Sequence, residues 1–421
     1  MDVTDVGEDE AMNYLLLAIL VFLVAMSISA LVYPLVLSYA KRHNIVDNPN
    51  ARKLQRVPVP VLGGVVVYAG ILAGCLVLFL FMKETLLLWG LAGMSIMLIV
   101  GIIDDIKNLS AMLRFVLEIL MVSVFIAMTG VYWDDFHGMW GIYELSPWLA
   151  IPLSVITGVG VINSVNLIDG VDGYSSGYSM LACGCFALIF QSVWSPTMVC
   201  MAVIVVGALL PFFMHNVFGV RSKMFIGDGG ALMLGMLMVM FLFFAISSKT
   251  NCSQLEERNM SLVGLCFAVI SIPVFDTLRV MLMRMLRGKS PFRPDKTHLH
   301  HLYIDMGFSH LGAAFAILMM NMMIVVLWLL SWFLGASIDV QSYVSISLSV
   351  LATFVFYSFM KKQQNSGSLD EDGYPLGTAL WHWYCHLGEL SHFEKGRIWR
   401  SLRCLMDSRI VSRFFNSVFR R

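Results

Sequence analysis

The sequence predicts an all-α polytopic integral membrane protein of about 11 transmembrane helices, with its N-terminus outside and its C-terminus cytoplasmic. Composition is the first reason: 58% of the 421 residues are hydrophobic and 13% are charged, at a mean hydropathy of +0.77. Soluble domains carry about 25% charged residues. The second reason is a series of apolar runs long enough to cross hydrocarbon, which takes about 20 helical residues. The third is that Lys and Arg are sorted between alternate connectors.

The runs fall near 12–40, 61–82, 86–103, 111–131, 148–166, 174–194, 197–216, 228–247, 260–284, 311–334 and 339–361. Those near 148–166 and 174–194 border a Gly- and Asn-rich stretch and are the weakest of the set. The leading MDVTDVGEDE is acidic and lacks the basic region of a cleavable signal, so the first run is expected to be a retained helix. No internal repeat is visible, which argues against an inverted-repeat transporter.

Connectors set the orientation. The stretch 41–60 holds five Lys/Arg and 284–297 holds five more, and Arg221 and Lys223 precede the eighth run. The alternate loops, YWDDFHGMWGIYELSP and SSKTNCSQLEERN, are acidic or neutral and rich in aromatics. By the positive-inside rule the basic loops are cytoplasmic. A transmembrane domain over 1–361 is then followed by a cytoplasmic tail over 362–421. After the linker NSGSLDEDG, that tail mixes Arg with aromatics at helical spacing, as a membrane-surface amphipathic helix does; a tail docked on the protein's own loops has the same composition. Lys+Arg 28 balance Asp+Glu 28, so nothing argues for nucleic acid as a partner. The eight cysteines show no metal spacing and no disulfide framework.

Four polar motifs stand at the edges of these runs, all on the predicted cytoplasmic side. An ionisable group there costs a few kcal/mol and is seldom kept without a partner or a task. GIIDDIKNLS carries Asp104 and Asp105 at the end of the third run; the pair suits a cation or a phosphate proton, and would also cap the next helix. NSVNLIDGVDGYSSG carries Asn163, Asn166, Asp169 and Asp172, the first three spaced by three along one helical face. Their oxygens are the hard ligands that Mg²⁺ or Mn²⁺ prefers, although the same residues make ordinary turns. KMFIGDGGALMLG sets Asp228 among glycines at a helix start, where backbone N–H groups can cradle phosphate, and places Phe225 three residues earlier, where it could stack on a base or simply pack. SPFRPDKTHLHHLYIDMGF groups His298, His300 and His301 with Arg293 and Lys296. That spacing lacks the i, i+4 arrangement of a zinc helix and fits pyrophosphate contact better.

Taken in order, these motifs resemble those of the polyprenyl-phosphate N-acetylhexosamine-1-phosphate transferases of bacterial membranes: a DD pair, an NxxNxxDGxDG stretch, a GDxG turn and a late HxHH loop. RKLQRVPVPVLGG and FDTLRVMLMRMLRGKSPF extend the resemblance over roughly residues 12–361. The HxHH form is similar to the WecA- and TagO-like branch. Gln55 stands where His is expected and Val61 where Arg is common, and the tail has no counterpart.

The resemblance implies transfer of N-acetylhexosamine 1-phosphate, from UDP-GlcNAc or a near relative, to undecaprenyl phosphate, giving the sugar-pyrophosphoryl lipid and UMP. It implies Mg²⁺ (or Mn²⁺) held by Asp228 and Asn166, with Asp169 and Asp172 as further candidates. Asp104 or Asp105 would position or deprotonate the lipid phosphate. Arg293, His298, His300 and His301 would hold donor phosphates, and Asn163, Asn216 and Phe225 would complete the donor site. Partners would be the UDP-sugar, the lipid phosphate and the bilayer of the bacterial inner membrane, with a homodimer left open. The alternatives are a phospho-MurNAc-pentapeptide-transferase-like activity, a cation-coupled transporter and a scaffold anchored by its tail; transport sites lie near the bilayer midplane, whereas these motifs lie at one edge.

Overall fold

A computed structural model describes residues 8–49, 57–291, 296–365, 384–389 and 391–392. It is helical almost throughout, with one two-stranded ribbon. The helices are α1 (Glu8–Arg42), α2 (Gly63–Met82), α3 (Thr85–Lys107), α4 (Ala111–Thr129), α5 (Pro147–Leu167), α6 (Tyr174–Ser192), α7 (Pro196–Phe218), α8 (Gly227–Ile246), α9 (Leu262–Val269), α10 (Ser271–Leu286), α11 (Leu299–Asp305), α12 (His310–Phe333), α13 (Ile338–Val350) and α14 (Phe356–Asn365). Local signals explain many starts. Pro147 and Pro196 open α5 and α7, where a missing N–H costs nothing. Ser110, Ser261, Ser309 and Ser337 cap α4, α9, α12 and α13 through their hydroxyls.

Among the described residues, nine helical segments are long and apolar enough to cross a membrane, and a tenth candidate is broken. These segments differ from the eleven runs read in the sequence at two places. The run 174–194 folds as α6, but its first turns, YSSGYS, make it too polar to qualify; it lies against α7, α8 and α12. The run 260–284 is α9 and α10, bent by 74°. A break inside hydrocarbon leaves backbone groups without partners. Asn321 of α12 supplies them, donating to Ala268 O (3.3 Å) and Val269 O (3.2 Å) and accepting from Ile272 N (3.3 Å). The last span also contains a π turn, Leu351–Val355, between α13 and α14.

The axis of the bundle is α8. Its most apolar window is 94% buried, against 22–67% for the other candidates, and it packs against α2, α3, α5, α6 and α9. Close approach is bought by glycine. A Cβ on Gly101 of α3 would collide with the backbone of Asp228 and Gly229, and one on Gly64 of α2 would collide with Gly230. Facing these contacts, β1 (Val46–Asp47) pairs antiparallel with β2 (Val59–Pro60). Pro60 O then accepts Phe225 N (2.8 Å), while Phe225 O and Ile226 O accept Gly63 N (2.9 Å) and Gly64 N (2.8 Å). The segment leading into α8 is thus fixed from both sides.

Most of the tail lies outside the described residues. Its described part docks on the protein: Ser391 Oγ accepts Ser309 N (3.0 Å), Ser309 Oγ donates to Ser391 O (2.9 Å), and Tyr384 packs on Phe356.

Because α3 and α8 meet backbone to backbone, Gly101→Ala should destabilise the fold by about 1–3 kcal/mol, the usual range for overpacking. Thermal unfolding in detergent reads this as a lower midpoint. An unchanged midpoint would mean the two helices are not in that contact.

Candidate active site

Among the described residues, the predicted side chains gather at one end of the bundle. Asp104 and Asp105 stand at the end of the third span, as expected, in the last turns of α3, which continues to Lys107. Asp105 turns to α8 and accepts from Asp228 N (3.2 Å) and Gly229 N (3.3 Å), capping a helix start whose own residues offer no side-chain cap. Gly227, at φ 73°, makes the sharp approach that a side chain would resist. Asp228 is thereby directed into the cleft, where Asn166 of α5 donates to its Oδ1 (3.1 Å).

Asp104 is buried and bonded elsewhere, to Leu109 N (2.7 Å) and to Arg114 of α4 (3.0 Å). Arg114 also lies 3.6 Å from Glu118, a carboxylate fully buried in the same helix. Asn163, three residues before Asn166, donates to Glu118 and to Val159 O. Its amide is spent inside the bundle rather than in the cleft.

The loop after α5 carries the remaining acids. Asp169 accepts from Ser175 Oγ (2.6 Å). It is exposed to solvent. Desolvation first, and then Asp228, Asp172 and Asp47, push its carboxyl above the usual range against that hydrogen bond. Asp172 pairs with Lys223 (2.6 Å) and His310 (3.2 Å). Burial opposes its ionisation, and these two partners outweigh burial, so its carboxyl is held below the usual range. Asn216 of α7 accepts Gly173 N (2.8 Å) and donates to Met224 O (3.0 Å). It latches this loop to the segment before α8. Phe225 is half-buried with Lys223 Nζ 5.6 Å from its ring centre.

The histidine segment closes the cleft. His300, in α11, packs so closely on Gly170 that a Cβ there would overlap its ring. His298 stacks on His300 (5.8 Å between ring centres), and the His301 ring lies tilted against His300 (4.4 Å). Burial first, and then its two histidine neighbours, hold His300 well below the usual imidazole range, so the ring is neutral. His298 Nδ1 meets Asp276 (3.0 Å), which also accepts Leu299 N (3.1 Å) and pairs with Arg279 (2.7 Å). Arg293 lies outside the described residues.

Asp47, Arg114, Glu118, Lys223, Asp276, Arg279 and His310 belong to this constellation and were not singled out from the sequence. Two signals were available: Arg114 and Glu118 are an i, i+4 pair inside an apolar run, as Asp276 and Arg279 are an i, i+3 pair, and such pairs in hydrocarbon mark structure or function. Asp47 gave no signal, because it stands in a polar loop.

A membrane-embedded helical bundle with acids, a helix N-terminus and imidazoles around one marginal cleft is suited to handling phosphates of a lipid. Residues 87–247 match the model of glycosyl transferase family 4. The chain is 29% identical over 355 residues to the probable undecaprenyl-phosphate N-acetylglucosaminyl 1-phosphate transferase of Bacillus subtilis (strain 168), covering 84% of this chain and 92% of that one. It is 30% identical over 277 residues to the undecaprenyl-phosphate alpha-N-acetylglucosaminyl 1-phosphate transferase of Escherichia coli O157:H7, covering 64% and 72%. Over 303 residues it is 28% identical to the decaprenyl-phosphate N-acetylglucosaminephosphotransferase of Mycobacterium leprae (strain TN), covering 64% and 73%. The chain belongs to glycosyl transferase family 4, and it is an enzyme of the phosphotransferase class.

Asp276→Ala would leave Arg279 buried without its carboxylate and His298 without its anchor. A loss of about 3–5 kcal/mol is expected, as for other broken buried pairs, measured as a lower unfolding midpoint in detergent.

Proposed function

We propose that this enzyme transfers N-acetylglucosamine 1-phosphate from UDP-GlcNAc to undecaprenyl phosphate, releasing UMP, at the cytoplasmic face of a bacterial inner membrane and with Mg²⁺ as its cofactor. Such a step would initiate a cell-surface glycan. The observation that carries the reading is Asp228, aimed into the cleft from the capped start of α8, with Asn166 and Asp169 beside it. This donor set is all oxygen and suits the hard ions Mg²⁺ and Mn²⁺. The basic connectors on the same side as the cleft support the cytoplasmic assignment.

The chemistry joins a lipid phosphate oxygen to the β-phosphorus of the donor and breaks the bond from that phosphorus to the oxygen shared with the α-phosphate, so UMP leaves. Phosphoryl transfer needs alignment and charge neutralisation more than covalent help. A divalent cation, when bound, neutralises the diphosphate and makes UMP a better leaving group. Asp228, Asn166 and Asp169 would hold it. Arg114, anchored by Asp104 at the acceptor side, presents a guanidinium to the lipid phosphate. Neutral His300 and the Asp276-oriented His298 serve the donor diphosphate as hydrogen-bonding groups. Apolar surface between spans, such as the exposed Leu113, Val116 and Leu120 of α4, gives the prenyl chain a lipid-facing path.

Purified protein given undecaprenyl phosphate, Mg²⁺ and a panel of UDP-sugars should release UMP with UDP-GlcNAc. Release with a peptide-bearing UDP-sugar instead would move the enzyme to the peptidoglycan branch, and release with neither would defeat the proposal. Asp228→Ala should reduce UMP release by at least about 100-fold, the scale on which losing a charge-stabilising group acts, while eluting as a folded protein. Near-normal turnover would remove Asp228 from the cation site.

A further inference from the structure

The end of the bundle opposite the cleft holds a second cluster that the transferase chemistry does not use. It is built from the loop after α4 and the loop after α8. Since α8 starts at the cleft and ends at Ile246, 20 residues later, the two sites are on the order of 30 Å apart, at 1.5 Å per helical residue.

Here His137 is 1% exposed and Asp135 8%. His137 Nε2 donates to Ile246 O (2.7 Å), which leaves Nδ1 facing the carboxylate of Glu256. In a neutral ring with that tautomer, Nδ1 carries a lone pair toward the Glu256 carboxyl, so a hydrogen or a cation stands between the two. Asp135 brings a second carboxylate, fixed by accepting His137 N (2.6 Å). One donor atom from each of Asp135, His137 and Glu256 lies within 4.8 Å of the others.

The charge between them is either a second ring proton or a metal ion. The cluster sets two carboxylates around one imidazole, with His137 and Asp135 buried and Glu256 29% exposed. A divalent ion with a neutral imidazole balances both carboxylates. Two other charged groups nearby are engaged elsewhere. Asp134 is satisfied by Ser247 Oγ, Ser248 N and Ser248 Oγ. The Lys249 ammonium reaches Gly130 O (3.0 Å) and lies 4.6 Å from the centre of the Tyr132 ring. An imidazole whose second nitrogen donates to a backbone carbonyl is the usual arrangement of a metal-binding histidine. One imidazole with two carboxylates is a donor set for Zn²⁺-class ions, not for Mg²⁺.

We propose that Asp135, His137 and Glu256 bind a Zn²⁺-class divalent cation on the membrane face opposite the transferase cleft, stapling the loops that follow α4 and α8. The test uses the full chain in detergent, stripped with chelator and titrated with ZnCl₂ in excess Mg²⁺, with metal content and thermal unfolding as readouts. Wild type should take up one equivalent more than either His137→Gln or Glu256→Gln, with the affinity of that equivalent falling at least about tenfold in the variants. Should His137→Gln fail to fold, Glu256→Gln decides, because its amide is isosteric and Glu256 is partly exposed, at 29%. Glu256→Gln should keep its Mg²⁺-dependent turnover. Equal zinc uptake by wild type and Glu256→Gln, or no saturable uptake by wild type, would overturn the assignment.

Discussion

The N-terminus of α8 is the constraint on which the site depends. A helix start exposes backbone N–H groups and about half a positive charge, and this one sits at the margin of hydrocarbon, where water is a poor substitute partner. Asp105 meets the need from α3. It can do so only because Gly101 and Gly229 allow two helices to touch backbone to backbone, and Gly64 and Gly230 do the same on the α2 side. The DD pair and the GDGG turn are therefore one device written in two places. One carboxylate completes the helix end, and the next acid along, Asp228, is aimed by it.

The five carboxylates of the motifs cannot all stand unpaired at one end of a bundle, and the structure gives them different partners. Asp104 has the Arg114 guanidinium, Asp105 the α8 amides, and Asp172 the Lys223 ammonium with His310. The direct partners of Asp169 and Asp228 are neutral, a Ser175 hydroxyl and an Asn166 amide. Negative charge that is hydrogen-bonded but not neutralised is what a site for a cation or a cationic substrate complex requires. The division of labour among the acids thus follows from their neighbours, although their sequence contexts look alike.

What the sequence made legible was whatever is local. Hydropathy located the apolar runs, and the four motifs named the elements that meet. Partnership was not legible, because Asp104 with Arg114, Asp172 with His310 and Asp276 with His298 join residues 10 to 138 positions apart. The break between α9 and α10 was hidden for the same reason. Its backbone is satisfied by Asn321, about fifty residues away, so the run reads as continuous. Asn216 and Asn163 carry the chemistry for a ligand, and in the fold they also bond Gly173, Met224 and Glu118. An amide in a motif is compatible with contact or with support, and only the fold distinguishes the two. The tail shows the opposite case. Ser391 and Tyr384 reach α11, α12 and α14 through contacts that composition could not choose over a membrane surface.

The buried state of α8 also explains why its far end is so elaborately built. A helix enclosed by other helices must have its last carbonyls satisfied by protein, just as its first amides are. At the start, Asp105 brings negative charge to the positive pole. At the finish, Thr250 Oγ1 donates to Phe244 O (2.7 Å) and His137 Nε2 donates to Ile246 O (2.7 Å). The negative pole of a helix favours a donor or a cation, and an imidazole whose other nitrogen meets carboxylates brings one or the other. The loops that the sequence presents as polar connectors are therefore the closure of the central helix.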